Sequence, residues 1–126
     1  MIRLHVPGVP QPKGSHRLLS RGDRLVALEP PAHVAWQEAV TWAARAAMRH
    51  REPVDGPVAL NAVFTMPRPR RPRWDVPAVK PDIDKLLRCL LDGLSRIAYT
   101  DDARVVRLVV EERYGEPGVE CEVAEA

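Results

Sequence analysis

The chain has 126 residues, 45% hydrophobic and 29% charged, which suffices for one folded domain and excludes an intrinsically disordered protein. No apolar run is long enough to span a membrane, Cys89 and Cys121 form no closely spaced metal motif, and the proline-interrupted N-terminus excludes a signal peptide, so a cytoplasmic location is expected. The net charge of +2 is uneven: from Glu111 onward six glutamates oppose one arginine, a net −5, so the first 110 residues carry +7, which favours a polyanionic partner.

The first half of the chain predicts a strand, a long loop and a helix. Ile2–Val6 alternates apolar and polar residues, as a half-buried strand does. The proline- and glycine-rich stretch 7–22 predicts a loop, with a short hairpin leading to Leu25–Leu28. Pro30 and Pro31 favour a helix start before an alanine-rich helix over 32–50. One face of that helix has apolar residues at helical spacing and is interpreted as core: Trp36, Ala39, Val40, Ala43 and Ala47.

The second half predicts three strands and a second helix. Val58–Met66 is rich in β-favouring residues, and Arg104–Tyr114 predicts a valine-rich strand, buried at Val105–Val106 and Leu108–Val110. After a turn, Val119–Val123 alternates as a last strand. Between these strands, a helix over 83–96 carries an apolar stripe of Ile83, Leu86, Leu87, Leu90, Leu91 and Leu94. This order of elements indicates a single α+β domain over residues 1–126, with two main helices packed on one side of a mixed sheet.

Acidic residues flank the second predicted helix, and each one alone has an ordinary structural explanation. Asp82 precedes the helix, where aspartate commonly caps the first turn. Asp84 lies in that first turn, where the helix dipole favours negative charge. Asp101 and Asp102 follow a turn, another common position for aspartate.

Together these acids indicate a metal site. Asp82 and Asp84 are two residues apart, and Asp102 enters a strand that could pack back beside the helix. Clustered carboxylates repel one another unless a cation lies among them, and oxygen-only ligands suit Mg²⁺ or Mn²⁺. Such an ion polarises a phosphodiester and activates a water. Arg88, one turn beyond Asp84, either meets charge on the phosphate or forms an ordinary i,i+4 ion pair.

The segments PDIDKLLRCLLDGL and AYTDDARVV resemble the signature of the RusA family of Holliday junction resolvases, and VPGVPQPKGSHR resembles a segment near the start of its members. The resemblance implies that Asp82, Asp84 and Asp102 are the essential acids and bind Mg²⁺ or Mn²⁺. It also implies a homodimer that cuts two opposed strands of four-way DNA. Two positions depart from the family: Arg88 replaces a functional lysine, and Lys85 replaces an asparagine.

Basic residues around the predicted site are candidates for DNA binding. The proline-rich stretch 67–80 leads directly into Asp82, so its charges could hold backbone phosphates, and Trp74 either stacks on an exposed base or packs on the protein. The predicted phosphate contacts are Lys13, Arg17, Arg68, Arg70, Arg71, Arg73, Lys80 and Lys85. The leading hypothesis is a junction-resolving endonuclease. The alternatives are a nuclease for other branched DNA, a non-catalytic DNA-binding protein and a metal-free structural module, which the basic loops make less attractive.

Overall fold

A computed structural model describes residues 1–13, 18–21, 24–27 and 32–126, and for 18–21 and 24–27 it describes the backbone alone. The elements are β1 (Ile2–Pro7), β2 (Leu18–Arg21), β3 (Arg24–Ala27), α1 (His33–Met48), β4 (Val58–Met66), α2 (Ile83–Leu94), a short 3₁₀ turn (Asp102–Arg104), β5 (Val105–Tyr114) and β6 (Gly118–Glu125). Every predicted strand and helix in the described residues is present. Helix α2 ends two residues earlier than predicted, because Ser95 is extended and Arg96 has a φ of 69°.

The main sheet has four strands in the order β1-β6-β4-β5. Strand β6 pairs antiparallel with both β1 and β4, whereas β4 and β5 are parallel, so the sheet is mixed. Alternate residues of β1, β4 and β6 form one buried cluster with the inner sides of both helices. The predicted α+β architecture is therefore confirmed. Strands β2 and β3 form a separate antiparallel hairpin.

The buried faces of the helices differ in detail from the predicted ones. In α1 the buried apolar residues recur every four positions, at Trp36, Val40, Ala44 and Met48, and the predicted alanines beside them are only partly buried. In α2 the first residue of the predicted stripe, Ile83, is exposed. Within the described residues, neither helix has the length and apolar composition needed to cross a membrane.

The prediction that β5 is largely buried is wrong. Val106, Leu108 and Val109 are 64, 43 and 51% exposed. The reason is the position of the strand at the end of the sheet, where it pairs with β4 and where α2 packs against it only sparsely. A valine-rich sequence favours a strand but does not determine whether that strand lies in the centre or at the edge.

The two helices approach closely at Gly93. A Cβ atom there would lie 2.6 Å from Cγ1 of Val40, and the hydroxyl of Thr41 donates to the Gly93 carbonyl at 2.9 Å. Real Cβ atoms do not approach so closely, so α1 or α2 would have to shift. Glycine at this position therefore determines how α2, which begins at Ile83, sits on the sheet.

We expect Gly93→Ala to lower the free energy of unfolding by about 1–2 kcal/mol. Overpacking typically costs about 1–3 kcal/mol, and contacts of 2.6 and 2.8 Å with two atoms of Val40 place this site in the upper half of that range. Alanine offsets roughly 1 kcal/mol of this cost through its higher helix propensity. Urea denaturation measures the change. The matched control is Gly56→Ala, since a Cβ there would meet nothing within 4 Å. Equal stability of the two variants would contradict close packing at Gly93.

Candidate active site

Asp82 is the N-cap residue of α2, but its side chain does not cap the helix. The backbone has the expected N-cap geometry, with φ −68° and ψ 143°, and the Asp82 carbonyl accepts from the N–H groups of Lys85 and Leu86. The carboxylate makes no capping hydrogen bond and instead pairs with Lys80, whose Nζ lies 3.0 Å from Oδ1. That pair is exposed, and exposed pairs contribute little to stability. The ordinary structural explanation for Asp82 therefore does not hold.

Asp84 is exposed in the first turn of α2 and makes no ion pair with any described residue. Arg88 is also exposed, and the i,i+4 ion pair with Asp84 that would be its ordinary role does not form in the described structure. Both charged groups project from the same side of the helix. They are thus available to a ligand at the start of α2.

Glu112 is a further acid at this place that the sequence prediction missed. It lies on β5 opposite Phe64, hence on the sheet face that the helices cover. Its Oε1 atom is buried and has no hydrogen-bond partner among the described residues. Burial, and secondly the negative charge of Asp82, raises the pKa of Glu112. Such a carboxylate fits a site for a cation between it and Asp82. The sequence feature that could have identified Glu112 is its position two residues after Val110. Alternation along a strand places it on the same face as Leu108 and Val110.

Two open clefts flank Asp82. The first has a volume of about 450 Å³ and is lined by Pro77, Ala78, Val79, Lys80, Asp82, Ile83 and Glu112. The second has a volume of about 460 Å³ and is lined by Val9, Pro10, Gln11, Pro12, Met66, Lys80, Pro81, Asp82 and Lys85. Asp82 and Lys80 separate the clefts, so both residues are accessible to a ligand from either side.

Asp102 lies at the other end of α2, in a turn held from several sides. The Tyr99 hydroxyl is 3.3 Å from Oδ1 of Asp102 and 3.2 Å from the Leu91 carbonyl. Burial raises the pKa of Asp102, and the nearby charges of Asp92 and Asp101 raise it further. Burial also raises the pKa of Tyr99, so this hydroxyl remains a proton donor.

A second set of contacts fixes the same turn to the loop before β4. The side chains of Thr100 and Arg104 donate to Asp55 at 2.9 and 3.0 Å, and these contacts lower the pKa of Asp55. Backbone hydrogen bonds join Val54 to Ala98 and Thr100, both at 3.1 Å. The position of Asp102 is therefore set by packing of the turn and by the loop before β4.

The structure does not bring the three predicted acids together within one chain. Asp102 lies beside Leu91 and Asp92, and Asp92 is eight residues beyond Asp84, about 12 Å along a helix that rises about 1.5 Å per residue. No group of three or more acidic, histidine or cysteine side chains suited to a metal ion occurs within the described parts of the chain. Strand β5 does run back beside α2, but Asp102 precedes the strand and stays at the far end.

The basic loop between β4 and α2 exposes most of its predicted phosphate contacts. Arg68, Arg70 and Arg73 are exposed, as is Arg71, and none of the four forms an ion pair with a described residue. The guanidinium of Arg73 stacks 4.4 Å from the centre of the Trp74 ring, which is 45% exposed. The loop therefore presents unneutralised positive charge next to Asp82.

The other basic residues predicted to contact phosphates lie in different surroundings. Lys13 pairs with Asp92 at 2.6 Å, so its charge is already balanced within the protein. The backbone N–H of Lys13 donates to the carbonyl of Lys85, and this hydrogen bond fixes the loop that follows β1 to α2. Lys85 is partly exposed at the second cleft. Arg17 lies outside the described residues.

One comparison with known proteins identifies a family. The family model described as endodeoxyribonuclease RusA matches residues 7–124, nearly the whole chain. No curated protein sequence matches the chain.

Proposed function

This chain belongs to the RusA endodeoxyribonuclease family, and on that basis we propose that it resolves Holliday junctions by metal-dependent hydrolysis of two opposed strands. The observation that carries the proposal is the set of acids at the start of α2 that lack the structural roles usual at their positions. Asp82 does not cap the helix, Asp84 has no ionic partner in the described structure, and Glu112 has a buried carboxylate oxygen without a hydrogen bond. The exposed arginines of the adjacent loop suit the phosphates of DNA.

The donor set is suited to Mg²⁺ or Mn²⁺, since every candidate ligand is a carboxylate oxygen. Asp82 and Asp84 would hold the ion, and Glu112, which lines the same cleft as Asp82, would bind it directly or through water. When bound, the metal polarises the phosphodiester and makes an attacking water more acidic. Lys80 balances Asp82 and is placed to move to a DNA phosphate. Arg88, which has no ionic partner among the described residues, would neutralise charge on the phosphate.

A homodimer accounts for the distance between Asp102 and the other two acids. Asp84 lies at the start of α2 and Asp102 lies beyond its end. One ion could therefore contact Asp82, Asp84 and Asp102 together only if Asp102 came from a second copy of the chain. Symmetric cutting of a four-way junction independently requires two active sites related by a two-fold axis. We therefore propose a homodimer with a site at the start of each α2, acting on DNA in the cytoplasm.

We expect the purified protein to introduce paired, symmetric nicks in a four-way junction with Mg²⁺ or Mn²⁺, and none in EDTA. Denaturing gels with each strand labelled in turn measure the cuts, and linear duplex of the same sequence is the control. Cleavage of flaps or forks in preference to four-way junctions would favour the nuclease for other branched DNA. Tight junction binding without cleavage in either metal would contradict the proposal and favour a non-catalytic DNA-binding protein.

A further inference from the structure

Strand β5 leaves one edge of the described sheet without a partner strand. It is the last strand of the sheet and pairs with β4 alone among the described strands. Four of its ten residues are charged, namely Arg107, Glu111, Glu112 and Arg113, and the apolar Val106, Leu108 and Val109 are 64, 43 and 51% exposed. Proline, charged side chains, bulges or a covering element commonly protect an edge strand from pairing, so a strand that pairs with this edge must match its charges. The bulge of β5 lies at its start, near Val106, and the strand from Arg107 onward pairs regularly with β4.

We propose that a second copy of this edge covers it, so that two β5 strands pair antiparallel about a two-fold axis at Val109 and the two sheets become continuous. The inference rests on the homodimer of the proposed function and assigns its surface. It depends on the symmetry of the pairing and on the order of charges along the strand.

Symmetry limits the possible registers. Residues directly opposite each other in an antiparallel pair lie on the same face of the sheet, and residues on one strand alternate between faces. A two-fold axis perpendicular to the sheet also keeps each residue on its own face. The axis must therefore pass through a residue position, because a register centred between two residues would place side chains of different faces opposite each other.

Charge selects Val109 as the central residue. In this register, Arg107 of each copy lies opposite Glu111 of the other, and Leu108 lies opposite Val110. Centring the pair on Val110 would instead place Arg107 opposite Arg113 and Leu108 opposite Glu112. Centring it on Leu108 would place Arg107 opposite Val109 and leave Glu111 opposite Val105. Opposite charges facing each other stabilise a strand pair and like charges destabilise it.

The faces of the sheet agree with this register. The pairing with β4 places Leu108 and Val110 opposite Leu60 and Ala62, on the side of the helices, so their packing across the two-fold axis extends the core. Val109, Arg107 and Glu111 lie on the other, solvent-facing side. Antiparallel pairing also brings the start of one β5 toward the end of the other. In this register the partner's Val106 lies opposite Glu112, and the partner's Asp102, four residues earlier in the chain, lies past this end of β5, on the side of the proposed shared site.

A pair of cysteine variants tests the register in the full-length protein. We expect Val109→Cys to form a disulfide or short bis-maleimide crosslink between two copies. Val106→Cys is the matched control: it is more exposed, but two copies of it would be separated on the order of 20 Å, at about 3.4 Å per residue. The native thiols do not compete, because Cys89 and Cys121 are buried and burial raises their pKa values to about 11 and about 12.

Charge reversal provides a second test, since Arg107 and Glu111 are exposed and their replacement should not unfold the chain. We expect Arg107→Glu and Glu111→Arg each to raise the dimer dissociation constant at least tenfold, measured by sedimentation, and the double variant to restore it.

A protein that is monomeric at all concentrations, a dimer insensitive to both reversals, or crosslinking of Val106→Cys as efficient as that of Val109→Cys would each overturn the inference. Neither test uses DNA or cleavage. A dimer that crosslinks as expected but cuts no junction would contradict the proposed function and leave this surface intact.

Discussion

Asp82→Asn, Asp84→Asn and Asp102→Asn are each expected to lower the rate of junction cleavage by more than about 100-fold while leaving junction binding intact. A bound metal contributes several kcal/mol to the transition state, and each loss of about 1.36 kcal/mol is about tenfold in rate. Binding should persist or become tighter, because removing a carboxylate reduces repulsion of the phosphates. Single-turnover cleavage and gel-shift titrations measure the two effects.

Asp75→Asn is the matched control for these variants. Asp75 is an exposed acid of the basic loop, so the substitution changes the net charge equally without touching the proposed metal ligands. A near-normal cleavage rate in any of the three acid variants would remove that residue from the site. A loss of activity in Asp75→Asn of the same size would show that the effect arises from charge in general.

Mixing two inactive variants tests whether Asp102 acts across the dimer. If Asp82 and Asp102 of different copies form one site, a mixed dimer of Asp82→Asn and Asp102→Asn has one site with both changes and one site with neither. We therefore expect the mixture to recover nicking of one strand. If both acids of a site came from the same chain, every site in the mixture would carry one change, and no activity would return. Recovery requires subunit exchange, which mass spectrometry monitors.

Replacing Arg70 and Arg71 together by glutamine is the second change expected to have a large effect. Both side chains are exposed and have no ionic partner in the described structure, so neither charge is balanced before DNA binds. Removing the charge that neutralises one phosphate reduces the slope of log affinity against log salt by about 0.9. We expect the slope to fall by about 2 and affinity at low salt to fall at least roughly tenfold. Titrations at several salt concentrations give both values.

Arg3→Gln serves as the control for the arginine variants. Arg3 pairs with Glu122 at 2.9 Å on β1, at the opposite edge of the sheet from β5. We expect its replacement to leave the salt slope unchanged. If the slope of the double variant also stayed unchanged, the phosphates would bind at another surface.

The sequence by itself determined the elements of this fold and the chemistry of its candidate ligands. Local periodicity suffices for that: the alternation in β1, the β-favouring residues of β4 and the apolar stripe of α2 each reflect one element packing on one core. The acids that flank α2 are likewise evident from local sequence, because they are carboxylates at the start of a predicted helix and in the turn that follows it. The family resemblance used the same residues, and the family match agrees with it.

The tertiary structure alone decided which of these residues meet. Sequence spacing does not determine whether a strand lies at the centre or edge of a sheet, so the exposure of Leu108 and Val109 became evident only from the strand order. A chain that returns beside a helix must first reach the helix end, and this is why Asp102 lies far from Asp82. Glu112 is distant from Asp82 in sequence, and only the pairing of β5 with β4 brings it beneath the start of α2.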